Sequence, residues 1–348
     1  PDVDDNDNVE AIEVLQAVQV MRGDENGNFD PDRNVTRVEM AVVMALLLNL
    51  DYQYYEATCP FTDVPTWARG YVGACYANGV TSGYSANTYG SNDGITPVQA
   101  ASMMMRALGY FKYSQDYADG FEVSTVRQGT QVGIFEGVGS SATASMTRNQ
   151  VARMALNALK SEMVTFTGTP GIEVNGVVVG YRAEYTARTS TESKYQAIER
   201  RTSDVSGGNN LNRGQYYVQL GEELYNGDLK LNDDSLDVFG RPARTWSYKG
   251  TEVGTYAKKE LLVHEAYTDS VKGREVYDLL GQSTIRDNDL IAYLDGYVNG
   301  NNSVGNLVKD NLVRSNNTNL AGTGRGVLTE IYLDNDKELV TIVSINTY

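Results

Sequence analysis

The first half of the chain alternates apolar stripes at helical spacing with short polar loops. Val9, Ile12, Leu15 and Val18 recur near every third residue, which predicts one face of an amphipathic helix. Gly23 is its expected stop, and Asn26-Gly27 an expected turn. Thr36 stands three residues before Glu39, the spacing of a capping box, ahead of the stripe Met40, Met44, Leu47 and Leu48. The same order returns twice. Thr96 and Gln99 precede Met103, Ala107 and Leu108; Thr147 and Gln150 precede Val151, Met154, Ala155 and Leu159. Each box follows a loop entered by a similar tetrad: Val20-Met21-Arg22-Gly23, Val80-Thr81-Ser82-Gly83 and Ile134-Phe135-Glu136-Gly137. Three helix–loop–helix copies with a period of roughly 50 to 60 residues are therefore expected. The first helix of copy three is the weakest, because Gly129, Thr130 and Gly133 interrupt it.

Near Val164 the period changes from helical to strand-like. Ile172 to Val174 and Val177 to Tyr181 flank Asn175-Gly176, a hairpin signal. Tyr185 to Tyr195 is rich in Thr, Tyr and Arg. Tyr216 to Leu220, Arg244 to Tyr248, Leu261 to His264, Gly326 to Leu333 and Leu339 to Ile345 read as strands. Asp204 to Gly214 reads as a polar loop and Ser270 to Gly281 as a short helix. The expected fold class is α+β, helical first and then a β-sandwich or open barrel with a small helix. The expected segments are 1–52, 53–112, 113–163 and 164–348.

Charge narrows the partners. The 348 residues carry 29 Lys+Arg against 45 Asp+Glu, a net charge of −16, which argues against nucleic acid and anionic membranes. The longest apolar run, Met40 to Leu48, is about half a membrane span. One His and two Cys disfavour multi-His metal centres and Ser-His-Asp catalysis. The 24 Tyr against 7 Phe suit wet surfaces and carbohydrate contacts. A first residue Pro1 suggests a processed or trimmed piece of a longer precursor.

Phe61-Thr62-Asp63-Val64-Pro65 opens copy two and Arg106-Ala107-Leu108-Gly109-Tyr110 closes it. With the three tandem boxes, residues 1–163 resemble the S-layer homology (SLH) domain. The resemblance implies a trimer of copies about a pseudo-threefold axis. It also implies grooves that bind a secondary cell-wall polysaccharide, often a pyruvylated one. Gly221 to Tyr225 and Asp237 to Ala243 are similar to regions that follow such repeats in clostridial-type surface-layer proteins, a likeness that implies no chemistry.

Capping accounts for the threonines and their acid or amide partners without any function. It leaves Arg37 and Arg148 unexplained: each falls first in its helix, where the macrodipole disfavours a cation. Beside free helix N–H groups such an Arg makes an anion site, and a pyruvyl ketal supplies a carboxylate. The bland alternative is pairing with a neighbouring acid. Copy two has Pro97 instead, so at most two working grooves are expected. The resemblance further implies Asp63 and Trp67 as sugar contacts, Trp67 by stacking and Asp63 by accepting hydroxyl bonds. The expected best groove joins Arg37 to Asp63, Trp67, Ser82 and Gly83.

Remaining chemistry is thin. Gly322 to Gly326 lacks the Lys-Ser/Thr ending of a phosphate loop, and His264 is alone in a strand. No carboxylate pair stands out among 45 acids. Asp2, Asp4, Asp24 and Asn26 concentrate oxygen atoms, with Ca2+ the ion they would take, though Val35 stands where a calcium loop needs Glu. Cys59 and Cys75 read either as a disulfide or as two packed thiols. The expected function is a non-enzymatic, extracellular surface-layer protein, held to the wall polysaccharide and self-associating in a lattice. The alternative is a wall-anchored carbohydrate-active enzyme, its catalytic module missing or hidden in the β-region. An outer-membrane barrel is disfavoured by long polar loops between the strands.

Overall fold

The computed structural model describes residues 2–4, 8–198, 214–267, 270–298, 312–315, 317–320 and 322–346. The expected loop over Asp204 to Gly214 lies, up to residue 213, outside the described residues, as do Asp5, Asn6 and Asp7 of the acidic run. The chain divides into two compact units. The first runs to Lys230 and takes in Ser247–Val253; the second comprises Leu231–Trp246 and the chain from Gly254.

The repeat pattern folds as six helices: α1 (Val9–Ala17), α2 (Arg37–Leu47), α3 (Arg69–Ala77), α4 (Pro97–Ala107), α5 (Phe121–Val132) and α6 (Arg148–Lys160). Thr36, Thr96 and Thr147 cap α2, α4 and α6, and all three capping boxes form. The apolar stripes are buried, with Leu15, Met40, Met44, Met104 and Leu159 fully enclosed. Gly23 does not end α1. That helix stops at Ala17, and the chain turns away at Gln19, which holds a left-handed φ of 66°. Gly79 (φ 70°) and Gly133 (φ 85°) occupy the same place after α3 and α5. Gly133 thus ends α5 rather than weakening it. Gly129 lies so close to the Phe135 ring that an added Cβ would come within 2.7 Å of it, so this glycine is a packing requirement.

The residues just before the capping threonines meet in a closed ring. Val35 N–H donates to the Met146 carbonyl, Met146 N–H to Ile95, and Ile95 N–H back to Val35, each at 2.9 Å. Around this ring α2 packs on α3, α4 on α5 and α6 on α1. The second helix of each copy therefore lies against the first helix of the next, and copy three closes on copy one.

The first unit continues beyond the helices, so the change of period at Val164 and the limit of the unit do not coincide. β1 (Val164–Phe166) pairs with β4 (Tyr185–Ala187). β2 (Ile172–Val174) and β3 (Val177–Val179) form the expected hairpin, Asn175 and Gly176 both at positive φ as a type I′ turn requires. β5 (Thr189–Ser190) pairs with β6 (Tyr216–Tyr217), followed by α7 (Leu220–Tyr225). This stretch is tied to the repeats by Asp116, which accepts from the Tyr181 (2.5 Å) and Tyr185 (2.7 Å) hydroxyls. β7 (Leu229–Leu236), β8 (Pro242–Tyr248) and β9 (Thr251–Ala257) follow as a three-stranded sheet, and the unit boundary falls within these strands.

In the second unit come β10 (Leu262–Ala266), α8 (Gly273–Leu280), α9 (Gln282–Asp287), β11 (Asp289–Leu294), β12 (Tyr297–Val298), β13 (Leu328–Asp334) and β14 (Leu339–Ile345). The strands form one sheet in the order β10-β13-β14-β11-β12, with β11 parallel to β14 and the other pairs antiparallel. This corrects the expected sandwich or barrel: among the described residues the sheet is open and mixed. One apolar cluster gathers Val276 and Ile285 of the helices with Leu290, Ile331 and Ile342. A second gathers Leu328, Tyr332, Val343 and Ile345. Alternate residues of β13 and β14 belong to different clusters, so both faces of the sheet are covered.

Candidate functional site

Arg37 opens α2, but its side chain serves the loop of the next copy. Its Nε donates to the Tyr89 carbonyl (3.0 Å) and Nη2 to the Ser82 carbonyl (3.1 Å). Arg148 opens α6 and does the same in the loop of copy one. Its Nε donates to the Phe29 carbonyl (2.7 Å) and Nη2 to the Arg22 carbonyl (2.8 Å). Each guanidinium also lies over the aromatic ring that follows its loop, 4.5 Å from Phe29 for Arg148 and 4.8 Å from Tyr89 for Arg37. Among the described residues neither forms an ion pair. Burial, then the nearby Arg33 charge, lower the Arg148 pKa from its ordinary value. Pro97 cannot reach the loop of copy three. There the equivalent carbonyl, Glu136, accepts from Arg153 Nε (3.1 Å) and Asn157 Nδ2 (2.8 Å).

Two grooves result. One, of about 320 Å³, is lined by Arg148, Arg22, Arg33, Glu39, Tyr52, Trp67 and Tyr71. Trp67 is 61% exposed, and Tyr52 and Tyr71 stack with centroids 4.0 Å apart. Arg33 pairs with Glu39 at 2.7 Å. The other, of about 240 Å³, is lined by Arg37, Ser82, Gly83, Tyr84, Gln99, Arg106 and Phe121.

The structure thus divides the expected groove. Arg37 joins Ser82 and Gly83, whereas Trp67 joins Arg148, because each second helix reaches one copy onward. Asp63 lines neither groove. Its carboxylate accepts from the backbone N–H groups of Tyr89 (2.7 Å), Gly90 (2.7 Å) and Ser91 (3.2 Å). Desolvation opposes its charge, but those three bonds outweigh it and hold its pKa below the ordinary value. Asp2 does this for copy one, accepting from Phe29 and Asp30. Gly83 has a steric role as well: a Cβ there would meet the Phe61 ring at 2.3 Å. Arg22, Arg33, Arg106, Tyr52, Tyr71 and Tyr84 also line the grooves, beyond the residues expected. Repeat alignment gives a signal for two of them: Arg22 matches Ser82 in the loops, and Arg106 sits three after Met103 as Leu46 does after Val43.

The other candidates have local explanations. Asp24 Oδ1 accepts from Asn26 and Asn28 N–H, both at 2.8 Å, as a turn acceptor. No group of three His, Cys, Asp or Glu converges among the described residues. Cys59 and Cys75 are buried free thiols, not a disulfide. Cys75 Sγ lies 3.3 Å from the Ala41 carbonyl, and burial pushes its pKa up to about 12. No helix among the described residues is long and apolar enough to cross a membrane.

Residues 1–41 and 60–96 match the S-layer homology domain. The chain carries S-layer homology domains. A surface-layer 125 kDa protein of Lysinibacillus sphaericus is 30% identical over 120 residues, 34% of this chain and 10% of that protein. The middle cell wall protein of Brevibacillus brevis is 24% identical over 164 residues, 46% of this chain and 15% of that protein. An endoglucanase of a Bacillus species is 28% identical over 124 residues, 34% of this chain and 13% of that enzyme. The match thus spans only a small part of each relative. The SLH domains and these surface relatives place the chain outside the cell, at the cell wall.

Proposed function

We propose that residues 1–52, 53–112 and 113–163 are three SLH copies about a pseudo-threefold axis, binding a secondary cell-wall polysaccharide through two grooves. The closed hydrogen-bond ring of Val35, Ile95 and Met146 supports the axis. The reading rests above all on the matching insertion of Arg37 and Arg148, each with guanidinium N–H donors left over beside an aromatic-lined groove. Those donors suit a carboxylate such as a pyruvyl ketal, and Trp67 offers a ring face to the sugar. Arg148 with Trp67 forms one site, and Arg37 with Ser82 and Gly83 the other; Asp63 acts by holding its loop.

Residues 164–348 then form a non-enzymatic surface module that self-associates in a surface layer. The matched endoglucanase keeps the alternative in play, a wall-anchored carbohydrate-active enzyme whose catalytic module lies outside this chain or in its β-region. Co-sedimentation with purified cell walls tests the anchoring. The chain should pellet with intact walls and stay in solution when the polysaccharide has been stripped. Screening the chain on cell-wall glycans separates the readings, because release of reducing ends would favour the enzyme.

A further inference from the structure

Building on the reading of the grooves as carboxylate-sugar sites, we propose that Tyr84 is a displaceable cover over the Arg37 guanidinium, which makes this the weaker of two unequal sites. The two arginines use the same nitrogens on matching carbonyls: Tyr89 and Ser82 for Arg37, Phe29 and Arg22 for Arg148. Among the differences in their surroundings, one loop position places a side chain over the guanidinium. In copy one it holds Asp24, whose carboxylate is turned onto Asn26 and Asn28. In copy two it holds Tyr84, with its ring centroid 4.4 Å from the Arg37 guanidinium carbon. Arg37, already over Tyr89, is left 5% exposed.

A second substitution makes room for the cover. A Cβ on Gly90 (φ 81°) would come within 2.4 Å of Tyr84 Cε2. Copy one has Asp30 there, also left-handed at φ 54°, so the backbone does not itself demand glycine. The cover is loosely held. Tyr84 is 55% exposed, and among the described residues its hydroxyl receives only a 3.5 Å bond from Gln99 Nε2. A cation–π contact of this kind sets an affinity penalty of roughly 3- to 30-fold for a ligand that must displace it.

The test titrates a soluble hexoside bearing a pyruvyl ketal into the full-length chain by calorimetry. An Arg148→Ala background leaves the Arg37 groove as the reporter. Tyr84→Ala removes the cover, and Gly90→Ala pushes it aside while retaining the tyrosine. Both should tighten binding about 3- to 30-fold over Arg148→Ala alone. Unchanged or weaker binding in both overturns the cover and makes Tyr84 a bystander or a sugar platform. Absence of binding by the unmutated chain overturns the groove reading itself, and the cover falls with it.

Discussion

At the scale of single residues, arginine and lysine are not equivalent in these grooves. Arg148 spends Nε and one Nη2 hydrogen on two carbonyls and sits over the Phe29 ring. A lysine ammonium could make neither the fork nor the stack. Arg148→Lys is therefore expected to weaken wall binding about tenfold, with Arg148→Ala at least as damaging, measured by co-sedimentation. Asp63 calls for a different assay, because its carboxylate holds backbone rather than ligand. Its pKa is depressed in the fold, so its stabilisation is present above the unfolded value of about 3.9 and fades as pH falls through the folded one. Melting temperature should lose an Asp63-dependent part below about pH 4, and Asp63→Asn should flatten that part. An unaltered acid limb in the variant would contradict the assignment.

At the scale of elements, the capping boxes were legible in sequence because a box needs only a residue and its partner three positions on. The helix ends were less so. Gly23 advertised a stop, yet the left-handed residue is Gln19, chosen by where the chain must turn toward the ring. Gln19 is exposed and strained for a residue with a Cβ. Gln19→Gly is expected to stabilise the fold by about 1 kcal/mol, raising the melting temperature by a few degrees. Thr147→Ala, which removes the α6 cap, should cost about as much. Which loop an arginine enters could not be read from spacing, because it depends on one copy closing onto another. Hence the expected groove set Trp67 beside Arg37, whereas the fold sets Trp67 beside Arg148. The parallel pairing of β11 with β14 escaped for the same reason: sheet order is set by contacts distant in sequence.

For the whole molecule, the count of grooves is the distinctive quantity. Copy three satisfies its loop carbonyl with Arg153 and Asn157 where Pro97 offers nothing. Pro97→Arg alone should add no third site, since its target carbonyl is already occupied; a calorimetric stoichiometry of three would refute this. The charge of −16 makes Arg37 and Arg148 placed cations in an acidic chain, which suits the anionic sugar proposed as their ligand. The central claim is that these grooves hold the wall polymer. Its most direct test is co-sedimentation of the chain and of the Arg37→Ala/Arg148→Ala double variant with intact and polysaccharide-stripped walls. The account predicts that the unmutated chain pellets with intact walls only and that the double variant stays in solution with both. Equal pelleting of the two proteins, or retention on stripped walls, would contradict it.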